Sequence, residues 1–298
     1  MPATATAAVG LAALLDRLVA EPPSRIHPVA LFGRAVAPLD RDWSRPSLAG
    51  VVVAVVLPLL VGGVVFGLVS ALSSVPLLAA LLSGLVLFST TSLRMLLVEA
   101  REVVALSEAD LPAARRRLRS LAGREADSLS ASEVRSAAVE SLAENLADGF
   151  VAPLLAFALV APVSLAGGAA AATWVKAVNT LDSMFGYPHK PHGAASARLD
   201  DLTMWLPARL TAVFLALAAL DARALARARE QSDHPPSPNS GWPMATLAAL
   251  LSLRLEKPGV YVLDFGSAPT PADAERARAL VARTGWLFVL AVGVVVWF

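Results

Sequence analysis

The sequence lacks cysteine altogether, which excludes disulfide bonds, thiolate-ligated metals and cysteine nucleophiles. It is also poor in charge, because Asp, Glu, Lys and Arg make up only 16% of the chain, against roughly 25% in an ordinary soluble domain. The formal net charge is +1. A nucleic-acid-binding protein usually has a strong basic excess, so we expect no nucleic acid among its partners.

Long apolar segments take the place of the missing charges. Hydrophobic residues occupy 56% of the 298 positions, and the mean hydropathy is +0.62. These values indicate an integral membrane protein that has the lipid bilayer as a partner. Residues 1–20 predict a short, uncleaved helix, because the apolar start lacks the basic residues that open a signal peptide.

Two membrane crossings are predicted in a stretch without charge or histidine, Ser47 to Leu93. One crossing needs roughly 20 apolar residues, and the sequence S-S-V-P at Ser73 to Pro76 suits the turn between two of them. We therefore predict a helical hairpin over residues 48–97, with arms at 48–72 and 76–97.

The predicted fold class is all-α: a polytopic α-helical membrane protein with about five spans or half-spans, plus amphipathic cytoplasmic helices. Residues 1–298 are expected to form one integral membrane domain. The boundaries after the hairpin are 98–145 for a cytoplasmic helical loop, 146–205 for a polar active-site region around an apolar segment, 206–222 for a span, 223–279 for a cytoplasmic loop and 280–298 for the final span. Residues 94–135 are rich in arginine, which favours the cytoplasmic side for this segment.

The apolar segment from Gly149 to Val175 allows two interpretations. It contains no charged residue and is long enough to cross the membrane once. Alternatively, Pro162 and the pair Gly167-Gly168 divide it into two half-helices that return the chain to the side it came from.

Three acids before this segment recur at every fourth position, Glu140, Glu144 and Asp148, with Asn145 beside them. On a helix they form one acidic stripe, whose like charges repel unless a cation neutralises them. Oxygen ligands without sulfur suit magnesium, which is often held by one or two carboxylates together with substrate phosphates. The alternative interpretation is a solvated helix face.

A second polar group follows the apolar segment. Lys176, Asn179 and Asp182 are spaced to share one helical face, and the lysine supplies a positive charge suited to phosphate. Asp200 and Asp201 come next, and because adjacent residues point to different faces of a helix, only one of them is expected to face a site.

Two proline-rich loops are further candidates for ligand binding, with a plain linker as the alternative for each. The first presents His27 and Arg34, and the second, H-P-P-S-P-N-S-G-W-P, presents Ser237 and Asn239. Lys257 lies near a turn further on. No G-x-x-x-x-G-K-[ST] motif is present, so no nucleotide site can be placed by pattern.

Five motifs in order resemble the adenosylcobinamide-phosphate synthase family of cobalamin biosynthesis. They are L-D-R-L-V-A-E-P-P…H-P-V-A-L-F-G-R (Leu15 to Arg34), E-x-x-A-E-N-x-x-D-G (Glu140 to Gly149), K-A-V-N-T-L-D-S-M-F-G-Y (Lys176 to Tyr187), A-R-L-D-D (Ala197 to Asp201) and S-P-N-S-G-W-P (Ser237 to Pro243). The resemblance extends over nearly the whole chain.

This resemblance implies a carbon–nitrogen ligase in the cell membrane, with its active site facing the cytoplasm. It would join adenosylcobyric acid, a corrinoid, to aminopropanol phosphate or a related amino alcohol, with ATP and Mg²⁺. Other late membrane enzymes of the cobalamin pathway are possible partners.

The candidate residues take roles within that family assignment. The roles are catalysis for Glu140, Lys176, Arg198 and Asp201; substrate or nucleotide binding for His27, Arg34, Asn145, Asn179, Ser237, Asn239 and Lys257; and metal binding for Glu144, Asp148 and Asp182.

Two other classes of function compete with this assignment. One is an intramembrane, Mg²⁺-dependent transferase acting on a diphosphate substrate, which would also use N-x-x-D pairs. The other is a non-catalytic membrane sensor or accessory protein, for which the acids would be dispensable. A transporter is disfavoured, because the charges cluster in a few segments and are not spread through the spans.

Overall fold

A computed structural model describes residues 2–122 and 126–298. Residues 123–125, inside the predicted cytoplasmic loop of residues 98–145, lie outside the described part. The chain forms two compact units. The first comprises the chain up to Ser92, Gly149–Met204 and Val289–Phe298, and the second comprises Leu93–Asp148 and Trp205–Phe288.

The described residues contain fourteen α-helices and one β-hairpin, together with short 3-10 and π-helical turns. The helices are α1 (Pro2–Val19), α2 (Pro28–Val36), α3 (Pro46–Ala71), α4 (Pro76–Thr90), α5 (Arg94–Ala109), α6 (Leu111–Leu121), α7 (Ala131–Leu146), α8 (Ala152–Val160), α9 (Leu165–Phe185), α10 (Ala194–Thr203), α11 (Trp205–Ala219), α12 (Arg223–Arg229), α13 (Gly241–Leu251) and α14 (Pro271–Trp297). The strands β1 (Arg254–Lys257) and β2 (Tyr261–Asp264) pair antiparallel.

Small residues let the helices of the first unit approach closely. Helix α3 packs along α9, and α1 packs along α4. A Cβ on Gly84 of α4 would lie 2.8 Å from the side chain of Leu11 on α1. Such close approach is typical of helix packing in membranes, where dispersion and not water exclusion holds helices together.

Five helices in the described residues are long and apolar enough to cross a membrane, and the count becomes six if one bent pair is included. The five are Pro2–Val19, Pro46–Ala71, Pro76–Ala109, Ala131–Val160 and Pro271–Trp297, and the bent pair is Pro191–Thr203 with Trp205–Ala219. Pro76–Ala109 contains both α4 and α5, and Ala131–Val160 contains both α7 and α8. Large apolar side chains of α3, such as Val52, Val56 and Leu59, are about half exposed, as a lipid-facing surface requires. The predicted class of a polytopic, all-α membrane protein is confirmed.

The apolar stretch from Gly149 to Val175 is divided between two helices. Helix α8 ends at Val160, and α9 begins at Leu165, where the Ser164 side chain accepts a hydrogen bond from the Gly167 N–H group. Helix α9 then packs back along α8, and a Cβ on Gly168 would lie 2.7 Å from the Ala161 side chain. The broken interpretation therefore describes the helices better than one straight crossing does.

The second unit has a core of its own between α5, α6 and α7, which includes Val103, Leu118 and Val134. Its helix starts agree with their sequence signals. Asp110 caps α6, and Ser130 forms a capping box with Glu133 at the start of α7.

The span predicted for residues 206–222 corresponds to α11, which has only 15 residues. The helix is therefore about 22 Å long, which is too short to cross the membrane alone.

Candidate functional site

Two carboxylates meet where α9 ends and α10 passes it, in the first unit. The Asp200 side chain lies near Asn179, and it is close enough to Asp182 for the two negative charges to repel. Asp200 is only 9% exposed, and its Oδ1 atom accepts no hydrogen bond from any described residue. Asp182 is half-buried. A divalent cation suits this pair, because it would offset the repulsion between the two carboxylates and occupy the unused lone pair of Asp200.

Two glycines fix the geometry of this pair. A Cβ on Gly186 would lie 1.9 Å from Asp182 Oδ1, so the carboxylate rests on the glycine backbone. A Cβ on Gly193 would lie 1.7 Å from the Phe185 carbonyl oxygen. The segment between the two helices can therefore return tightly to the end of α9, and this return places α10 beside it.

Lys176 connects the acid pair to an apolar cavity in the same unit. Its charge acts on Asp200 and on His27. The cavity has a volume of about 350 Å³ and is lined by α2, α3, α4 and α9, including Phe32, Val64 and Thr173 as well as Lys176. One side chain therefore faces both polar and apolar surroundings.

His27 serves as the N-cap of α2. Its Nδ1 atom accepts a hydrogen bond from the Val29 N–H group at 3.2 Å, so the ring must be unprotonated at that nitrogen. Burial, reinforced by the charge of Lys176 and opposed by Glu21, lowers the pKa of His27 below its ordinary value. The ring is thus held neutral beside the lysine.

An ion pair supports the segment between α9 and α10. Lys190 Nζ donates to Asp40 at 2.6 Å and to the Met184 carbonyl at 2.9 Å. His192 Nε2 lies 3.4 Å from the same aspartate. The Lys190 ammonium holds the pKa of Asp40 below its usual range. These contacts anchor the segment that joins Asp182 to Asp200.

The second unit encloses a different carboxylate. Glu140 has no exposed surface and accepts hydrogen bonds from the Tyr261 hydroxyl at 2.6 Å and the Ser136 hydroxyl at 2.9 Å. Ser136 in turn accepts a hydrogen bond from the Glu256 N–H group at 2.7 Å. The network joins α7 to the β-hairpin.

A cation lies over two indole rings at the start of α11, also in the second unit. The Arg209 guanidinium carbon is 4.4 Å from the Trp205 ring centre and 5.5 Å from that of Trp242. Its Nη1 atom donates to the Trp205 carbonyl at 2.7 Å and to Asn239 Oδ1 at 3.0 Å. Asn239 is 3% exposed, so the proline-rich loop is fixed to α11 at this point.

Known proteins identify the family. A family model described as CobD/Cbib protein matches residues 9–284. The chain belongs to the CobD/Cbib family.

Relatives of similar length support this membership. The probable cobalamin biosynthesis protein CobD of Methanothrix thermoacetophila is 36% identical over 289 residues, which cover 92% of this chain and 91% of the relative. The cobalamin biosynthesis protein CobD of Rhodobacter capsulatus is 37% identical, over 91% of this chain and 90% of its own. That of Klebsiella pneumoniae is 36% identical, over 91% and 89%. No solved structure matches at a significant level.

The structure of this CobD/Cbib chain brings part of the predicted site together. Asn179 and Asp182 lie with Asp200 and Asp201 around the α9–α10 contact, with Lys176 near them. His27 lies near Lys176. Arg198 is exposed on α10, while Arg34 is exposed and donates to the Arg25 carbonyl at 3.2 Å.

The acidic stripe of α7 is less regular than its spacing predicts. Glu140 is fully buried, whereas Glu144 and Asp148 are half-buried. Asn145 donates to the Ser141 carbonyl at 3.0 Å, within its own helix. Asp148 lies in a π-helical turn, Ala147–Val151, which widens the helix and shifts its register.

The prediction of one metal bound by Glu144, Asp148 and Asp182 stays a prediction. The first two belong to the second unit and Asp182 to the first. In the part of the chain that is described, no group of three or more His, Asp or Glu side chains is arranged to hold a metal ion. A cation at Asp182 and Asp200 would accordingly take its other ligands from Asn179, water or substrate.

The remaining predicted residues lie in the second unit. Ser237 is half-buried, and its hydroxyl accepts a hydrogen bond from the Asn239 N–H group at 3.3 Å. Lys257 ends β1, just before a turn in which Gly259 has a φ of +72°. Their roles in binding substrate or nucleotide stay predictions.

Three residues of these clusters were not selected from the sequence. Asp200 could have been: it shares one helical face with Ser196 and Met204, at every fourth position, and all three are buried. Tyr261 and Arg209 gave no such signal, because their partners are 121 and 30 residues away along the chain.

Proposed function

We propose that this CobD/Cbib protein is an enzyme of cobalamin biosynthesis, an adenosylcobinamide-phosphate synthase of the cell membrane. Its substrates would be a corrinoid carboxylic acid, adenosylcobyric acid, and an amino alcohol phosphate. The observation that carries the proposal is the pair formed by buried Asp200, with its unused carboxylate oxygen, and half-buried Asp182, in a chain whose relatives are named for cobalamin biosynthesis. A pair of repelling carboxylates is costly in a membrane protein unless it binds something.

The reaction must activate a poor acyl donor. The corrinoid carboxylate attacks the γ-phosphorus of ATP, which gives an acyl phosphate and releases ADP. The amine of the amino alcohol phosphate then attacks the acyl carbon and loses one proton. Inorganic phosphate leaves as the amide bond forms.

The residues of the first unit suit these steps. Asp182, Asp200 and Asn179 would hold Mg²⁺, which when bound neutralises charge on the phosphates. Lys176 adds a positive charge for the transferring phosphoryl group. Asp201, beside the pair, accepts the ammonium proton. We assign Glu140 a structural role, because Tyr261 and Ser136 already donate to its carboxylate.

ATP is available in the cytoplasm, so we place the active site on that side of the cell membrane. The arginine-rich segment of residues 94–135 supports the same orientation. We also propose other late membrane enzymes of the pathway as neighbours in the membrane.

A reconstitution tests the function directly. The purified full chain, in a neutral detergent, is incubated with adenosylcobyric acid, aminopropanol phosphate, ATP and Mg²⁺, and the amide is measured by mass spectrometry. We expect amide and ADP in equal amounts, and neither when Mg²⁺ is chelated or Asp182→Asn replaces the wild type. Absence of both products with every substrate present would contradict the proposal.

A further inference from the structure

Arg209 carries a charge that the second unit does not neutralise. In the described ranges, 2–122 and 126–298, no carboxylate lies within 4.0 Å of its guanidinium, although ion pairs of other arginines are frequent. The neighbours of Arg209 are instead two indole rings, one carbonyl and the amide of Asn239. Cation–π contacts attract the cation but leave its net charge unchanged.

The hydrogen bonds of Arg209 use one edge of its fork only. Both bonds to described residues come from Nη1. The Nε and Nη2 atoms therefore present up to three N–H groups that donate to no described residue. Neither atom is among the buried polar atoms without a partner, so this second edge is open to a ligand or to solvent.

The surroundings hold that open edge in a fixed direction. Trp205 lies one helical turn before Arg209 on α11, and Trp242 is in the first turn of α13. Asn239, itself 3% exposed, fixes the guanidinium from the proline-rich loop. An arginine oriented in this way loses little conformational entropy when it binds a planar or tetrahedral oxyanion with two N–H groups.

We propose that Arg209, held between Trp205 and Trp242 by Asn239, is an oxyanion-binding residue that takes a phosphate-type group on its Nε–Nη2 edge. The proposal concerns binding and does not depend on the ligase reaction. Two sources supply the same chemistry: a soluble phosphate ester or anhydride, and the headgroup of an anionic phospholipid. Trp205 is 55% exposed, and tryptophan together with arginine is common at the membrane interface.

The test titrates the purified full chain, in a neutral detergent without Mg²⁺, with two ligands in separate arms. One ligand is inorganic pyrophosphate, and the other is dihexanoyl phosphatidic acid. The variants are Arg209→Gln, which removes the charge, Arg209→Lys, which keeps the charge but loses the fork, and Arg223→Gln as the matched control. Arg223 is an exposed arginine of the same unit.

We expect Arg209→Gln to weaken binding about 10- to 100-fold in at least one arm, as the loss of a charged hydrogen-bonded partner does. Arg209→Lys should weaken binding of the same ligand about 10-fold. This variant provides the test if Arg209→Gln does not fold. Arg223→Gln should bind as the wild type does. Weaker binding of pyrophosphate by the Arg209 variants identifies a soluble ligand, and weaker binding of phosphatidic acid alone identifies a lipid.

The proposal is overturned if both ligands bind the Arg209 variants as tightly as they bind the wild type, or if neither binds the wild type. A variant with a lower thermal midpoint but unchanged binding also overturns it, because the arginine would then only attach the loop to α11. Amide formation is not measured here, so failure of this proposal and failure of the ligase assignment are separate results.

Discussion

At the scale of single residues, the environment of Asp200 destabilises the protein when no ligand is bound. Its carboxylate is buried, faces the charge of Asp182, and leaves Oδ1 without a described hydrogen bond. Natural proteins keep such arrangements at functional sites, where a ligand compensates for them. Stability and activity should therefore respond to its replacement in opposite directions.

The first prediction concerns Asp200→Asn. We expect amide formation to fall by at least about 100-fold, because a ligand oxygen with its charge is removed. The thermal midpoint measured in EDTA should rise by a few degrees, on the order of 1 kcal/mol, since the repulsion from Asp182 disappears. Asp42→Asn, an exposed acid of the same unit, should change neither quantity. A less stable and fully active Asp200→Asn protein would contradict the site.

The second prediction uses two glycines. In Gly186→Ala, the new methyl group would overlap Asp182 Oδ1, so the carboxylate must rotate away and activity should fall about 10-fold or more. Gly63→Ala in α3 is the control, because its Cβ would meet nothing within 4 Å. That change should leave activity intact and stabilise the helix by about 0.5–1 kcal/mol. Equal activities of the two variants would show that the carboxylate position is unimportant.

At the scale of elements, helix α2 begins at an imidazole that must stay neutral to cap it. The pKa of His27 is lowered in the folded protein, while in the unfolded chain it returns to about 6.5. On lowering the pH, the unfolded chain binds the proton first. The stability that His27 contributes is therefore complete above pH 6.5 and decreases as the pH falls through and below that value.

The third prediction follows from this decrease in stability at lower pH. His27→Asn keeps a good N-cap but cannot titrate, so its thermal midpoint should fall less between pH 7.5 and pH 5.5 than that of the wild type. His189→Asn, which removes an exposed histidine, should reproduce the wild-type slope. Parallel curves for wild type and His27→Asn would contradict the assignment.

The β-hairpin is the element that satisfies Glu140. The fourth prediction is that Tyr261→Phe destabilises the protein by about 1–3 kcal/mol, because a buried carboxylate loses the donor at 2.6 Å. The loss should be smaller when Glu140→Gln is already present, and a double-mutant cycle measures that difference. Val260→Ala, at an exposed position in the turn of the hairpin, is the control. Additive losses in the cycle would rule out the contact.

At the scale of the whole molecule, the first unit has two distinguishable ends. Ser73, in the turn after α3, and Val163, in the turn after α8, line one cavity. At the start of α3, a Cβ on Gly50 would lie 2.1 Å from the His192 carbonyl oxygen. Helix α3 has 26 residues and is therefore about 39 Å long, enough to cross a bilayer.

The fifth prediction is a pattern of labelling. The chain has no cysteine, so single introduced thiols report without background. Ser73→Cys and Val163→Cys should react with a membrane-impermeant maleimide from one side of the membrane. Asp42→Cys and His189→Cys, near the opposite end, should react from the other side. Labelling of all four from the same side would exclude α3 as a crossing helix.

The sequence predicted the parts of this protein that are encoded locally. The uncharged run before Arg94 gave limits for α3 close to those observed, and the break around Pro162 separates α8 from α9. The division of acids between buried and half-buried positions was not predictable, because it depends on packing across helices. Glu140 has the same spacing as Glu144, yet only Glu140 meets the hairpin.

The separation of Glu140 and Tyr261 along the chain has a consequence for the synthesis of the protein. When Glu140 leaves the ribosome, 121 further positions must be translated before Tyr261 exists. During that interval the buried carboxylate has the Ser136 hydroxyl as a donor but lacks the Tyr261 hydroxyl. Chains truncated after α13 and before Tyr261 should therefore be degraded by membrane quality-control proteases, even though every crossing helix but the last has already been made.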